Sequence, residues 1–142
     1  MQTFLPYEDF DRSAQVLDLR RLGKQIIEAR QIGKALTLRD YGWQNHPAVR
    51  MWRGHLSWLL DYADAMNVEW RRRRGKNHGA WENMWIDHAD RALITDARPL
   101  WLGRPDLHRS HRSNLLRKDP DHYGPLFEAE LPNDLAYVWP VS

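Results

Sequence analysis

The chain contains no cysteine. Disulfides, thiolate metal sites and cysteine nucleophiles are thereby excluded, and any chemistry must come from other groups. Long apolar runs are also missing, since no stretch approaches the roughly 18 apolar residues of a membrane span. The first residues lack the basic segment and apolar run of a signal peptide. No membrane partner and a cytoplasmic location are therefore expected. Convincing alternating strand patterns, internal repeats and low-complexity tracts are absent as well, which leaves an all-α fold. Its 142 residues suit a single domain over 1–142, because one core commonly organises about 100 to 150 residues.

An excess of charge of one sign is missing too. Twenty-one cations stand against 19 anions, for a net charge of +2, so the sum says little about partners. Their distribution says more. Arg71 to Lys76 reads RRRRGK, and Arg104, Arg109, Arg112, Arg117 and Lys118 are accompanied by Asp106 alone between Arg104 and Lys118. That clustering predicts a positive face, and hence a nucleic-acid partner. Eight Trp in so short a chain is a real excess. They either fill a core or stack on unpaired bases and wedge into a duplex.

Leu22, Ile26, Ala29, Gly33 and Leu36 step by four and three, the stripe of an amphipathic helix from about Asp18 to Leu38. A shorter helix is expected before it, starting near Asp11 or Ser13 as capping residues. Tyr41-Gly42-Trp43 reads as a loop, and Asn45-His46-Pro47 as a helix entrance with Pro47 in the first turn. Leu56, Leu59, Leu60, Ala63, Met66 and Trp70 predict a second long helix from about Gly54 to Arg74, with cations at its negative end and Gly75 as its stop. Trp81, Met84, Trp85, His88 and Leu93 suggest another helix, ended before Pro99. Asp106 starts a further one, carrying Leu107, Leu115 and Leu116 and stopping before Pro120. A tail with Pro125, Pro132 and Pro140 closes the chain. The predicted architecture is thus two long helices, shorter helices and a Pro-rich C-terminal tail.

At 100° per residue, Arg21, Gln25 and Glu28 fall together on one flank of the first long helix, at the edge of its apolar stripe. A carboxylate placed there can be half-buried and still reach a cleft, the setting in which pKa values are tuned for acid or base work. The plainer alternative is a surface ion pair of Glu28 with Lys24 one turn before it.

The segment Leu22-Gly23-Lys24-Gln25-Ile26-Ile27-Glu28 resembles the helix of the pyrimidine-dimer DNA glycosylases, the endonuclease V-like proteins of phage and bacteria, whose catalytic Glu ends a similar heptapeptide. The long helix from Gly54 to Trp70, with its basic end and Gly75, is similar in placement to that family's second long helix. Ser113 to Tyr123 resembles its basic and aromatic DNA-contacting end. Asn45-His46-Pro47, Met51-Trp52 and His111-Arg112-Ser113-Asn114 bring the chain closer to a bacterial branch.

The resemblance implies an enzyme that acts on double-stranded DNA with a damaged or modified base, as a monomer and without a cofactor. It implies an amine nucleophile at the chain's own N-terminus, which forms a Schiff base with the sugar, and a Glu that assists. An α-amino group suits that role, with a pKa near 7.7 to 8.0 against about 10.4 for Lys. Gln2 is a bulky second residue that leaves Met1 in place, so the implied catalytic pair is Met1 and Glu28. The stretch between them is longer than in the phage enzyme, so the amine must return by a different path. Ile27 stands where the family has Arg, and Arg21 on the same flank is the candidate replacement cation.

Duplex engagement is expected from His108, Arg109, His111, Arg112, Asn114, Arg117 and Lys118, joined by Arg21, Lys24, Gln25, His46 and Arg53. Such donors position a duplex through its phosphates without reading bases. Trp43, Trp52 or Tyr123 are candidates to support a kinked or flipped nucleotide. Two rival readings stand beside this one. A non-catalytic nucleic-acid-binding module accounts for the cations and Trp equally well. A metal-dependent hydrolase would use His46 with His55, or His108 with His111, but no metal-site motif such as H-E-x-x-H is present.

Overall fold

The computed structural model describes residues 1–84 and 93–141. Among them every regular element is a helix, as the sequence predicts. Helix α1 spans Phe10–Val16 and is capped by Asp9, whose carboxylate accepts from the Arg12 N–H at 2.9 Å. Neither Asp11 nor Ser13 takes the cap. Ser13 is buried and its hydroxyl closes the preceding turn, accepting from the Tyr7 N–H and donating to the Tyr7 carbonyl, both at 3.0 Å.

Helix α2, Leu19–Thr37, begins at Asp18, which caps it through the Arg21 N–H. Of its predicted stripe Leu22, Ile26, Ala29 and Gly33 are buried and Leu36 is half-buried, and Ile32 joins the buried face. The one-turn helix α3, Pro47–Arg50, has His46 as its cap, with Nδ1 accepting from the Ala48 N–H at 3.0 Å. Helix α4 spans Leu56–Arg74 and stops at Gly75, whose φ of 77° is the left-handed conformation a glycine adopts without strain. It starts two residues after Gly54, which itself turns at φ 82°.

The two long helices pack against each other, and Gly23 permits their close approach. A Cβ there would meet the Trp70 ring at 2.7 Å. The expected helix from Trp81 to Leu93 is a single turn where it is described, α5 at Gly79–Glu82. Trp85 and His88 lie outside the described residues. Helix α6 spans Pro105–Lys118, with Pro105 in the first turn and Asp106 beside it, and α7 is the turn Pro120–Tyr123. The chain then runs back over α6 as a tail without regular structure.

Much of the cationic run at the end of α4 is used internally. Arg72 and Arg73 both donate to Glu69, and Arg73 also donates to the carbonyls of Ala14, Gln15 and Leu17 at the end of α1. A guanidinium there satisfies carbonyls that a helix terminus leaves open. Among the described residues no helix is long and apolar enough to cross a membrane.

Candidate active site

The first residues do not form a helix. They enter the protein as an extended strap: Met1 and Gln2 are half-buried and Thr3 to Pro6 are buried. Such a segment lacks internal hydrogen bonds, so its buried polar groups need partners from elsewhere. Side chains supply them. The Phe4 N–H donates to Gln25 Oε1 at 2.8 Å, and the Tyr62 hydroxyl lies 2.7 Å from the Phe4 carbonyl and 2.9 Å from the same Gln25 oxygen. The Leu5 N–H donates to His111 Nδ1 at 2.8 Å, and the Leu5 carbonyl lies 2.8 Å from His108 Nδ1. His108 Nε2 accepts from the Gly103 N–H, so Nδ1 carries the proton and donates to Leu5. Arg112 donates to the Pro6 carbonyl at 2.7 Å, and the Trp52 indole N–H donates to the Thr3 hydroxyl at 3.0 Å.

This path delivers Met1 into a cleft of about 380 Å³ beside α2. Glu28 lies on the same cleft, at 8% exposure, with one carboxylate oxygen buried and lacking a hydrogen-bond partner. Burial pushes its pKa up, while the α-ammonium of Met1 and the Lys24 ammonium pull it back through space. The plainer alternative, a surface pair with Lys24, therefore does not describe Glu28. The α-ammonium also lowers the His46 pKa, after burial, which brings His46 to the same neighbourhood.

Arg20, Arg21, Lys24 and Lys118 give the cleft its positive rim, and Gln2, Phe4, Gln25 and Tyr137 complete the lining. Arg21 is partly neutralised by Asp18 at 3.2 Å. Arg20 and Lys24 are exposed and one turn apart. Outside the cleft an aromatic edge continues: Tyr137 to Trp139 at 5.9 Å between ring centroids, Trp139 to His46 at 6.0 Å, and His46 to Trp43 at 6.0 Å. Trp43 is 66% exposed and sits at φ 70°, a conformation unfavourable for a bulky residue.

Of the residues expected to serve the site, Met1, Arg21, Lys24, Gln25, Glu28 and Lys118 meet on the cleft. Gln25 is 1% exposed and holds the strap, so it does not reach a duplex. His108, His111 and Asn114 were expected to offer donors to phosphate, and the structure buries them instead. The two imidazoles serve Leu5, and Asn114 donates to the Leu135 carbonyl of the tail at 2.9 Å. Ser113 and Ser110 bind that tail through Pro132, Leu135 and Val138. One face of α6 therefore clamps both ends of the chain.

Arg112 is half-buried between Pro6 and Glu128. Arg117 is exposed but donates to the Asn133 carbonyl and to Asn114. Arg109 and Arg53 are exposed away from the cleft, Arg53 donating to the Gln44 carbonyl. Trp52 and Tyr123, two of the three aromatic candidates, are fully buried. Trp52 packs on Trp101 and Tyr62, and the Tyr123 hydroxyl donates to the Asp18 carboxylate that caps α2.

Sequence reasoning missed Arg20, Gln2, Tyr137 and Tyr62. The i, i+4 spacing of Arg20 and Lys24 was a usable signal. Tyr137 and Tyr62 reach the site from distant parts of the chain and left no local trace.

A helical protein that lines one basic cleft with its N-terminal residue and a desolvated carboxylate has the equipment of a nucleic-acid-processing protein. The family model described as pyrimidine dimer DNA glycosylase matches residues 1–83, the part that carries the strap, α2 and α4. The chain belongs to that family, and its class is accordingly that of the DNA repair glycosylases, with DNA as substrate. No curated protein and no solved structure gives a match.

Proposed function

We propose that the protein excises a damaged or modified pyrimidine from double-stranded DNA and cleaves the resulting abasic site, through a Schiff base on the α-amine of Met1. The observation that carries this reading is the cleft shared by Met1 and the buried Glu28, with their charges close enough to interact.

In its neutral form the amine attacks the sugar C1′. The bond from C1′ to the base breaks, the base leaves with the electron pair and takes up a proton, and the nitrogen loses one. Opening of the C1′–O4′ bond, with protonation of O4′, gives the iminium. Loss of a C2′ proton then expels the 3′ phosphate, and water releases the sugar fragment from the amine. Glu28 stabilises the cationic sugar and carries protons between these steps. A carboxylate with a raised pKa suits a group that must both take and give a proton.

Arg20, Arg21, Lys24 and Lys118 hold the phosphates at the cleft, and Trp43, with His46 and Trp139 behind it, supports the displaced nucleotide. The protein acts as a single-domain monomer and needs no cofactor.

Borohydride trapping on abasic-site and dimer-containing duplexes tests the reading. A covalent adduct mapped by mass spectrometry to the Met1 amine is the expected result, and an N-terminal tag abolishes it. Intact DNA binding with no adduct on any of these substrates would leave a non-catalytic binding module instead.

A further inference from the structure

The strap solves a problem that a flexible terminus cannot, because a nucleophile must be held to within about 1 Å to be effective. In extended backbone, the N–H and carbonyl of one residue point to one side and those of the next point to the other. The structure follows that alternation with side chains in place of neighbouring strands. Both polar groups of Phe4 face Gln25 of α2 and Tyr62 of α4, and both polar groups of Leu5 face His111 and His108 of α6.

A slip of one residue would turn each of these groups away from its partner and expose the side chains of Phe4 and Leu5, which are 7% and 0% exposed. The register is thereby fixed. Only three residues lie between Phe4 and the amine, a reach of about 10 Å, and a slip would move the amine by about 3.5 Å.

Resting on the amine mechanism proposed above, we infer that His111 and Gln25 are positioning residues for the Met1 amine: by accepting the N–H groups of Leu5 and Phe4, they set the register at which it meets Glu28. Neither touches DNA or the reacting atoms. His111 does this as a neutral ring, since burial holds its pKa down to about 3 and leaves Nδ1 free to accept.

The test reads the Met1 and Glu28 pair directly, without DNA. The Glu28 carboxyl is titrated by carbon NMR in wild type and in His111→Leu, each with the Met1 amine free or acetylated. Arg20, Arg21, Lys24, Lys118 and His46 also face the pair and are common to all four. In wild type, acetylation is expected to raise the Glu28 pKa further, because the α-ammonium that pulls it back is gone; in His111→Leu the same change is expected to have no effect.

His111→Asn retains an acceptor near the Nδ1 position and restores the dependence. Borohydride trapping on an abasic duplex falls by about 100-fold in His111→Leu and recovers in His111→Asn, with the duplex Kd unchanged. A Gly inserted between Gln2 and Thr3 keeps the bulky second residue that retains Met1, leaves every clamp from Thr3 onward in place and displaces the amine by one residue. It is expected to abolish both the coupling and the trapping at unchanged thermal stability, which keeps the inference testable should His111→Leu not fold.

Persistence of the Glu28 coupling in a folded His111→Leu protein, or full trapping by the insertion variant, would overturn the inference. Coupling that depends on His111 in a protein that traps no DNA would sink the amine mechanism and leave the positioning role standing.

Discussion

Replacing Glu28 by Gln removes a buried charge while preserving the shape of the side chain, and it is expected to move activity and stability in opposite directions. On the activity side, loss of proton transfer and of charge stabilisation costs about 100- to 10,000-fold in turnover. At 1.36 kcal/mol per factor of ten this is about 3 to 5 kcal/mol of barrier. Duplex affinity is expected to hold, because the cationic rim is untouched.

On the stability side, a buried group short of partners costs about 1 to 3 kcal/mol and more when charged, and Gln keeps the unpartnered atom of Glu28 but makes it neutral. The Met1 and Lys24 cations already offset part of that cost. A gain near the lower end, about 1 kcal/mol, corresponds to a rise of about 3 °C in Tm for a chain of this size.

The gain has a pH signature. The folded protein raises the Glu28 pKa, so it binds the proton more tightly than the unfolded chain does. The penalty is absent below the ordinary glutamate pKa, grows as pH rises through the window up to the folded value, and is complete above it. Thermal melts of both proteins at about pH 4 and about pH 7.5 check this, since the Tm advantage should be present at the higher pH and vanish at the lower. A variant of equal or lower Tm at the higher pH, or one with unchanged turnover, would refute the assignment of Glu28 as a desolvated functional carboxylate.

Gly23→Ala gains about 1 kcal/mol in helix propensity but sets a methyl 2.7 Å from the Trp70 ring, which is itself packed on His78 at 4.7 Å between centroids. Overpacking of this kind costs about 1 to 3 kcal/mol, so the urea midpoint should fall, and a rise would show that α2 and α4 are not in close contact there. Trp43→Ala removes an exposed ring at a strained backbone position and should leave stability within about 0.5 kcal/mol of wild type. Affinity for a lesion duplex should weaken by about 1 to 3 kcal/mol, or roughly 5- to 150-fold, in fluorescence anisotropy. Unchanged affinity would remove Trp43 from the DNA-binding surface.

The long helices were legible because their information is local. A stripe at helical spacing, an Asp before it and a Gly after it are properties of consecutive residues, so α2 and α4 fall within a residue or two of the predicted ends. The resemblance of Leu22 to Glu28 to the family helix was legible for the same reason. The start of α1 shows the limit of that locality: Asp11 and Ser13 read as caps, yet Asp9 takes the role, and the Ser13 hydroxyl is withdrawn because it closes the turn at Tyr7.

The roles of polar residues on α6 were beyond the sequence. His108, His111, Ser113 and Asn114 read as a dense array of donors for phosphate, the same chemistry that a buried strap and a returning tail require. Which of the two they serve depends on what packs against the helix, and their partners lie up to 106 positions away at Leu5. By itself the sequence determined that the protein is helical, where its two long helices run, and that Glu28 sits at the boundary of a buried stripe. Only the tertiary structure decided that Met1 reaches that boundary, because an extended terminus has no pattern of its own and takes its path from the side chains that satisfy its backbone.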